Sequence, residues 1–255
     1  MGKVQVAIVS PTFPSAHLGN TVPVRRLVLW DIDGTLVRVG PAGRNAIERG
    51  AARVAGLTEV PFVQMGGKTD PQIVREIFTL AQLAEHHIEE LLSRAIAEVE
   101  AALAQEEESI RRDGRVMPGV VALLQRLAAT EGVRQTVLTG NVVANAAVKL
   151  AAFGLERFMD VEAGAYGSDD ADRTRLVPIA LERIRRLRGV QYSPGEVWVI
   201  GDTAHDLACA RAAGARCLVV GTGVEGYDAV RDLSADAILE DLSDTERVVH
   251  ILTAD

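Results

Sequence analysis

Residues 27–36 read Leu27-Val28-Leu29-Trp30-Asp31-Ile32-Asp33-Gly34-Thr35-Leu36. The first four are apolar with no polar alternation, which suits a strand covered on both faces inside a parallel sheet. The strand runs into two carboxylates one residue apart. They share a face while the chain stays extended, and Gly34 then lets the backbone turn sharply.

Outward from this stretch the same pattern recurs. Residues 136–138, 197–200, 217–220 and 237–239 are short, apolar and rich in β-branched side chains. Helical spacing fills most of the gaps: 142–153 before Gly154, 175–188 before Gly189, and 204–213 before Gly214. Strands alternating with helices predict an α/β fold, a doubly wound Rossmann-like parallel sheet. Residues 40–115 differ. Ile73, Ile77, Leu80, Leu83 and Ala84 recur at helical spacing, as do Ile88, Leu91, Leu92, Ala95, Ile96, Val99 and Leu103, and no strand signal breaks them. The expected organisation is an N-terminal extension over 1–24, a catalytic core of 25–39 and 116–255, and an inserted all-helical cap over 40–115.

Composition narrows the function. The chain has 255 residues and a net charge of −8. A nucleic-acid backbone would be repelled by that charge. No apolar run approaches the ~20 residues that span a bilayer. The two cysteines, Cys209 and Cys217, lie among apolar residues and form no CxxC pair. They read as buried reduced thiols, which fits a reducing, cytoplasmic setting. A small anionic partner remains possible where local cations or a metal reverse the sign; neither nucleic acid nor membrane is expected, for a monomer or homodimer.

The chemistry lies just after the strands. The first ends in Asp31 and Asp33, the second in Leu138-Thr139-Gly140-Asn141, the third in Gly201-Asp202-Thr203-Ala204-His205-Asp206. Carboxyl ends of parallel strands converge on one crevice. Asp31, Asp33, Asp202 and Asp206 would repel one another there, and a hard divalent cation removes the problem. The expected site is Mg²⁺ held by Asp31, the backbone carbonyl of Asp33, and Asp202, with Asp206 ligating through water or standing behind the ligands. Asp31 would be the nucleophile, and Asp33 would protonate the leaving oxygen and then deprotonate water. His205 reads as a surface or supporting histidine. Lys68, in the loop Gly66-Gly67-Lys68-Thr69-Asp70, is a candidate substrate contact. The loop lacks the GxxxxGK[ST] spacing of a phosphate-binding P-loop.

Asp31-Ile32-Asp33-Gly34-Thr35-Leu36, Thr139, and Gly201-Asp202-Thr203 with Asp206 together resemble the haloacid dehalogenase superfamily, in its motif order. The helical insert resembles the small cap of phosphoglycolate-phosphatase-like and β-phosphoglucomutase-like members. The resemblance implies a Rossmann-like core, Mg²⁺, and an aspartyl-phosphate intermediate. It implies that Thr139, with the neighbouring Gly140 and Asn141, holds the phosphoryl oxygens. It also implies a cation near the start of the helix before the last motif. The usual Lys-Pro pattern is missing, and Asp172-Arg173-Thr174-Arg175 offers two arginines. Arg173, nearer the helix N-terminus, is preferred as the catalytic cation, with Arg175 as a further phosphate contact. An arginine fork suits phosphate.

The leading expectation is an Mg-dependent phosphatase for a small phosphate monoester, its cap closing over this small phosphorylated metabolite. A mutase of the β-phosphoglucomutase type would use the same residues. A non-catalytic metabolite-binding protein is the alternative from another class. Phosphonate hydrolysis would need Lys68 as its Schiff-base lysine, and dehalogenation would leave Asp33 without a use.

Overall fold

The computed structural model describes residues 25–254. The expected N-terminal extension, residues 1–24, lies outside the described residues. Six strands form one parallel sheet: β1 (Arg26–Trp30), β4 (Val133–Thr139), β5 (Ala165–Tyr166), β6 (Val197–Gly201), β7 (Arg216–Val220) and β8 (Ala237–Leu239), ordered β5-β4-β1-β6-β7-β8. Two further strands, β2 (Val37–Arg38) and β3 (Arg115–Val116), make a small antiparallel ribbon.

The decisive strand lies in mid-sheet, paired to β4 on one side and β6 on the other. All five of its residues are buried. Val28 and Trp30 face one core with α5 (Val120–Ala128), α6 (Val143–Ala152) and α10 (Thr245–Thr253). Leu27 and Leu29 face the other, with α7 (Leu176–Arg188), α8 (Ala204–Ala212) and Val230 of α9 (Tyr227–Val230). This two-sided cover is what the unbroken apolar run requires.

Four helices occupy the stretch after β2: α1 (Ala42–Ala55), α2 (Asp70–Leu80), α3 (Glu85–Ala104) and α4 (Glu107–Asp113). The first three share a core of their own, with Ile47, Ile73, Ile77, Phe78, Ile88 and Val99. Gly50 lets α1 approach α3 closely, since a Cβ there would collide with the backbone of Val99. The β2–β3 ribbon ties together the two chain crossings into this helical unit. With two residues per strand it carries no periodicity, so the apolar runs of the sequence do not reveal it, and they do not reveal the two-residue β5 either. Strand β4 runs past the apolar residues 136–138 in both directions, and the apolar run stops short of its start, at Gln135, a buried polar residue. Its side chain donates to the carbonyls of Leu124 and Phe158, and its Oε1 accepts from Trp30 Nε1.

Candidate active site

Strands β1, β4 and β6 end side by side, and the motif residues meet beyond their tips. Asp31, Asp202 and Asp206 each place a carboxylate oxygen within 4.8 Å of the others. Glycines make room for this crowding. Gly34 turns at φ +84°, and a Cβ there would overlap the carboxylate of Asp202; one on Gly201 would overlap Asp206. Thr35 Oγ1 donates to Asp202 Oδ1 at 3.2 Å. Asp206 belongs to the first turn of α8, where its Oδ2 accepts from Thr203 N (3.0 Å) and Thr203 Oγ1 (2.7 Å) as a capping box.

Arg173 enters this cluster from the 3₁₀ turn that precedes α7. Its Nη2 lies 2.8 Å from Asp31 Oδ1 and also bridges to Asp206. Its Nη1 donates to the carbonyl of Gly67 at 3.3 Å. Arg175, two residues on, is 70% exposed and pairs with Asp170 instead. A tight turn sends side chains two residues apart in different directions, so Arg173 reaches the carboxylates of Asp31 and Asp206 while Arg175 turns to Asp170.

The electrostatics follow from burial. Desolvation pushes the Asp31 carboxyl up to about 7; Arg173 pulls it down, while Asp206 and Asp33 push it further up. Asp202 is raised for the same reasons, burial first and then Asp31 and Asp206. Burial works against the Arg173 charge, but Asp206 and Asp31 hold it firmly protonated. Three carboxylates and one guanidinium leave a net charge of minus two if all are ionised, the charge one divalent cation cancels. The donors are hard oxygens only, a set that suits a hard divalent cation and not a softer metal.

A second group of polar side chains adjoins the first. Asn141 Nδ2 donates to Asp33 Oδ2 (2.7 Å) and to Thr139 Oγ1 (2.8 Å). Lys149 Nζ donates to Asp33 Oδ2 and to Asn141 Oδ1, both at 2.6 Å. The loop before α2 closes over the crevice. Asp70 N donates to the carbonyl of Gly140 at 2.8 Å, and a Cβ on Gly67 would strike His205 and Thr203. His205 is exposed against that loop. Lys68 Nζ pairs with Glu76 in the second turn of α2, so its charge is engaged within the helical unit.

The pattern of the haloacid dehalogenase-like hydrolases matches residues 25–214. The chain belongs to the haloacid dehalogenase-like hydrolase family. It is 32% identical to a plasmid-encoded phosphoglycolate phosphatase of Cupriavidus necator over 84% of this chain and 89% of that protein. It is 28% identical to a phosphoglycolate phosphatase of Rhodospirillum rubrum over 86% of this chain and 88% of that one. Among solved structures, a hydrolase from Pseudomonas syringae superposes with a TM-score of 0.64 at 18% identity, covering 91% of this chain and all (100%) of the other. With these relatives, this family member is a phosphatase acting on phosphate monoesters. Among the described residues no helix is long and apolar enough to cross a membrane.

Sequence reasoning missed the residues that this hydrolase places around Asp33. Lys149 and Asn145 were absorbed into an apolar helix, yet Asn141, Asn145 and Lys149 recur every four residues and all are buried. A polar stripe at helical spacing along an otherwise apolar face is the signal that was available. Asp70 enters the sequence reading only as the end of the loop that carries Lys68. It is buried, and its Oδ2 accepts from Val142 N (3.0 Å) and Asn145 Nδ2 (2.9 Å).

Proposed function

We propose that this phosphatase hydrolyses a small phosphate monoester with Mg²⁺, by way of a phosphoryl group carried on Asp31. The observation that carries the reading is the bridge from Arg173 to both Asp31 and Asp206 within a carboxylate cluster that all-oxygen metal sites require. Asp31, the backbone carbonyl of Asp33, and Asp202 would hold the cation, with Asp206 supporting them. When bound, it offsets the repulsion among the carboxylates and the charge of the phosphoryl group.

The residues divide the work. Arg173 engages Oδ1 of Asp31, which leaves Oδ2 to attack phosphorus. The Thr139 hydroxyl oxygen accepts from Asn141 twice, through N (3.3 Å) and Nδ2 (2.8 Å), so its proton is available for a phosphoryl oxygen. Backbone N–H groups at Gly140 and Asn141 add donors at the same strand end. As the ester P–O bond breaks, Asp33 delivers a proton to the leaving alcohol oxygen. Asp33 then takes a proton from water, whose oxygen attacks phosphorus and frees the Asp31 carboxylate. Lys68 and the α2 loop lie over the crevice, which supports a role in excluding water and selecting the ester. Buried free thiols at Cys209 and Cys217 support a reducing, cytoplasmic setting.

The test is phosphate release from a metabolite panel that includes phosphoglycolate, the substrate class named for several relatives. Release with Mg²⁺ that stops on chelation is expected. A panel with no turnover at any ester would leave the metabolite-binding alternative standing. Conversion of a sugar phosphate to its isomer without free phosphate would mark a mutase.

A further inference from the structure

Lys149 is a charged residue in the middle of α6, on the face that carries Ala146 and Leu150 into the core. Its side chain is 6% exposed, while that of its partner Asp33 is 44% exposed. The asymmetry matters. A half-exposed carboxylate is hydrated without help, so Asp33 needs no ion pair to be accommodated. The buried ammonium does, and removing it from water costs several kcal/mol before any pairing. A leucine would fit the helix face with no such cost. Residues that break a local rule in this way mark functional sites more often than architecture.

The geometry shows what the lysine does. Both hydrogen bonds to the Asp33 side chain, from Lys149 Nζ (2.6 Å) and Asn141 Nδ2 (2.7 Å), arrive at the same oxygen, Oδ2. Oδ1 accepts none among the described residues. Lys149 Nζ also donates to Asn141 Oδ1 (2.6 Å), which fixes the amide so that its Nδ2 points at Asp33 and Thr139. The ammonium therefore sets both the rotamer of the carboxylate and the orientation of the amide beside it.

We propose that Lys149 is a positioning residue for the phosphatase reaction: with Asn141 it anchors the Asp33 carboxylate through Oδ2, leaving Oδ1 as the oxygen that exchanges the proton. This rests on the reading of Asp33 as the acid and base. A carboxylate held in one orientation delivers its proton without a search, whereas a free one on the surface samples several rotamers.

The experiment compares wild type, Lys149→Met, Asp33→Asn and the double variant on two esters, an alkyl phosphate and an aryl phosphate whose phenolate leaves without a proton. Lys149→Met keeps the length of the chain and removes the charge, and circular dichroism with thermal melting confirms folding. If it does not fold, Lys149→Gln, which can still bond Asn141, takes its place in the same cycle. The value of kcat/KM reports the first phosphoryl transfer. It should fall by about 10-fold or more on the alkyl ester, within the range of a full acid–base contribution, and by less than about threefold on the aryl ester. In the Asp33→Asn background the lysine change should add nothing, because the group it positions is gone. Equal losses on the two esters, no loss on either, or full additivity in the double variant would each overturn the proposal. Absence of turnover by the wild-type protein would instead refute the phosphatase reading beneath it.

Discussion

Arg173 is the residue on which the carboxylate cluster balances. Its guanidinium touches Asp31 and Asp206 at once, and it is buried with them. Arg173→Ala should lower kcat by at least about 10²-fold, the size of losing one preorganised charge contact. It should also destabilise the fold by about 3–5 kcal/mol, the cost of stranding a buried charge. Arg175→Ala, at an exposed pair, should stay within about 0.5 kcal/mol of wild type with kcat unchanged. Urea unfolding and steady-state kinetics on the two variants check both statements. A sequence read by motif finds the aspartates because each ends a strand it can see. It prefers Arg173 over Arg175 only for its place nearer the helix N-terminus, because spacing does not show which way the turn faces. Nor does it find Lys149, whose partner Asp33 lies 116 positions away in the chain.

At the scale of elements, a hydrogen-bonded coupling between the helical unit and the core runs through the start of α2. Thr69 caps that helix by accepting from Gln72 N (3.2 Å), and its hydroxyl donates to the carbonyl of Ala171 (2.8 Å). Asp70 then reaches across to the first turn of α6, where negative charge is favoured at a helix N-terminus. Burial raises the Asp70 carboxyl, and Lys149 and these donors pull it back down. Asp70→Ala leaves the buried Val142 N–H without its acceptor, so a loss of about 1–3 kcal/mol is expected. If α2 docks over a bound ester, KM should rise more than kcat falls, and a kinetic comparison with wild type reads that ratio. The strands of the central sheet were legible as apolar runs because they are buried on both faces. The ribbon of β2 and β3, and β5, were not, because two residues of strand leave no pattern. Their pairing joins residues distant in the chain, Val37 with Val116 in the ribbon and Ala165 of β5 with Leu138.

Across the whole molecule, the buried carboxylates tie stability to pH and to metal. Asp31 sits at about 7 in the folded chain against 3.8 for a free aspartate. The folded state thus binds this proton more tightly than the unfolded one. Its contribution to stability is complete below pH 3.8 and is lost as pH rises towards about 7; Asp202 acts in the same direction. In the presence of a chelator, Tm should fall across that window, and Mg²⁺ should restore more of it at pH 8 than at pH 5; parallel melting curves with and without the cation would count against a metal on these residues. The central claim is chemical and has its own measurement. Enzyme mixed with substrate and Mg²⁺, quenched in acid within one turnover and mapped by mass spectrometry, should carry a phosphoryl group on the peptide containing Asp31, and the Asp31→Asn protein should carry none and release no phosphate. Phosphate release by wild type with that peptide unmodified, or sustained turnover by Asp31→Asn, would contradict it.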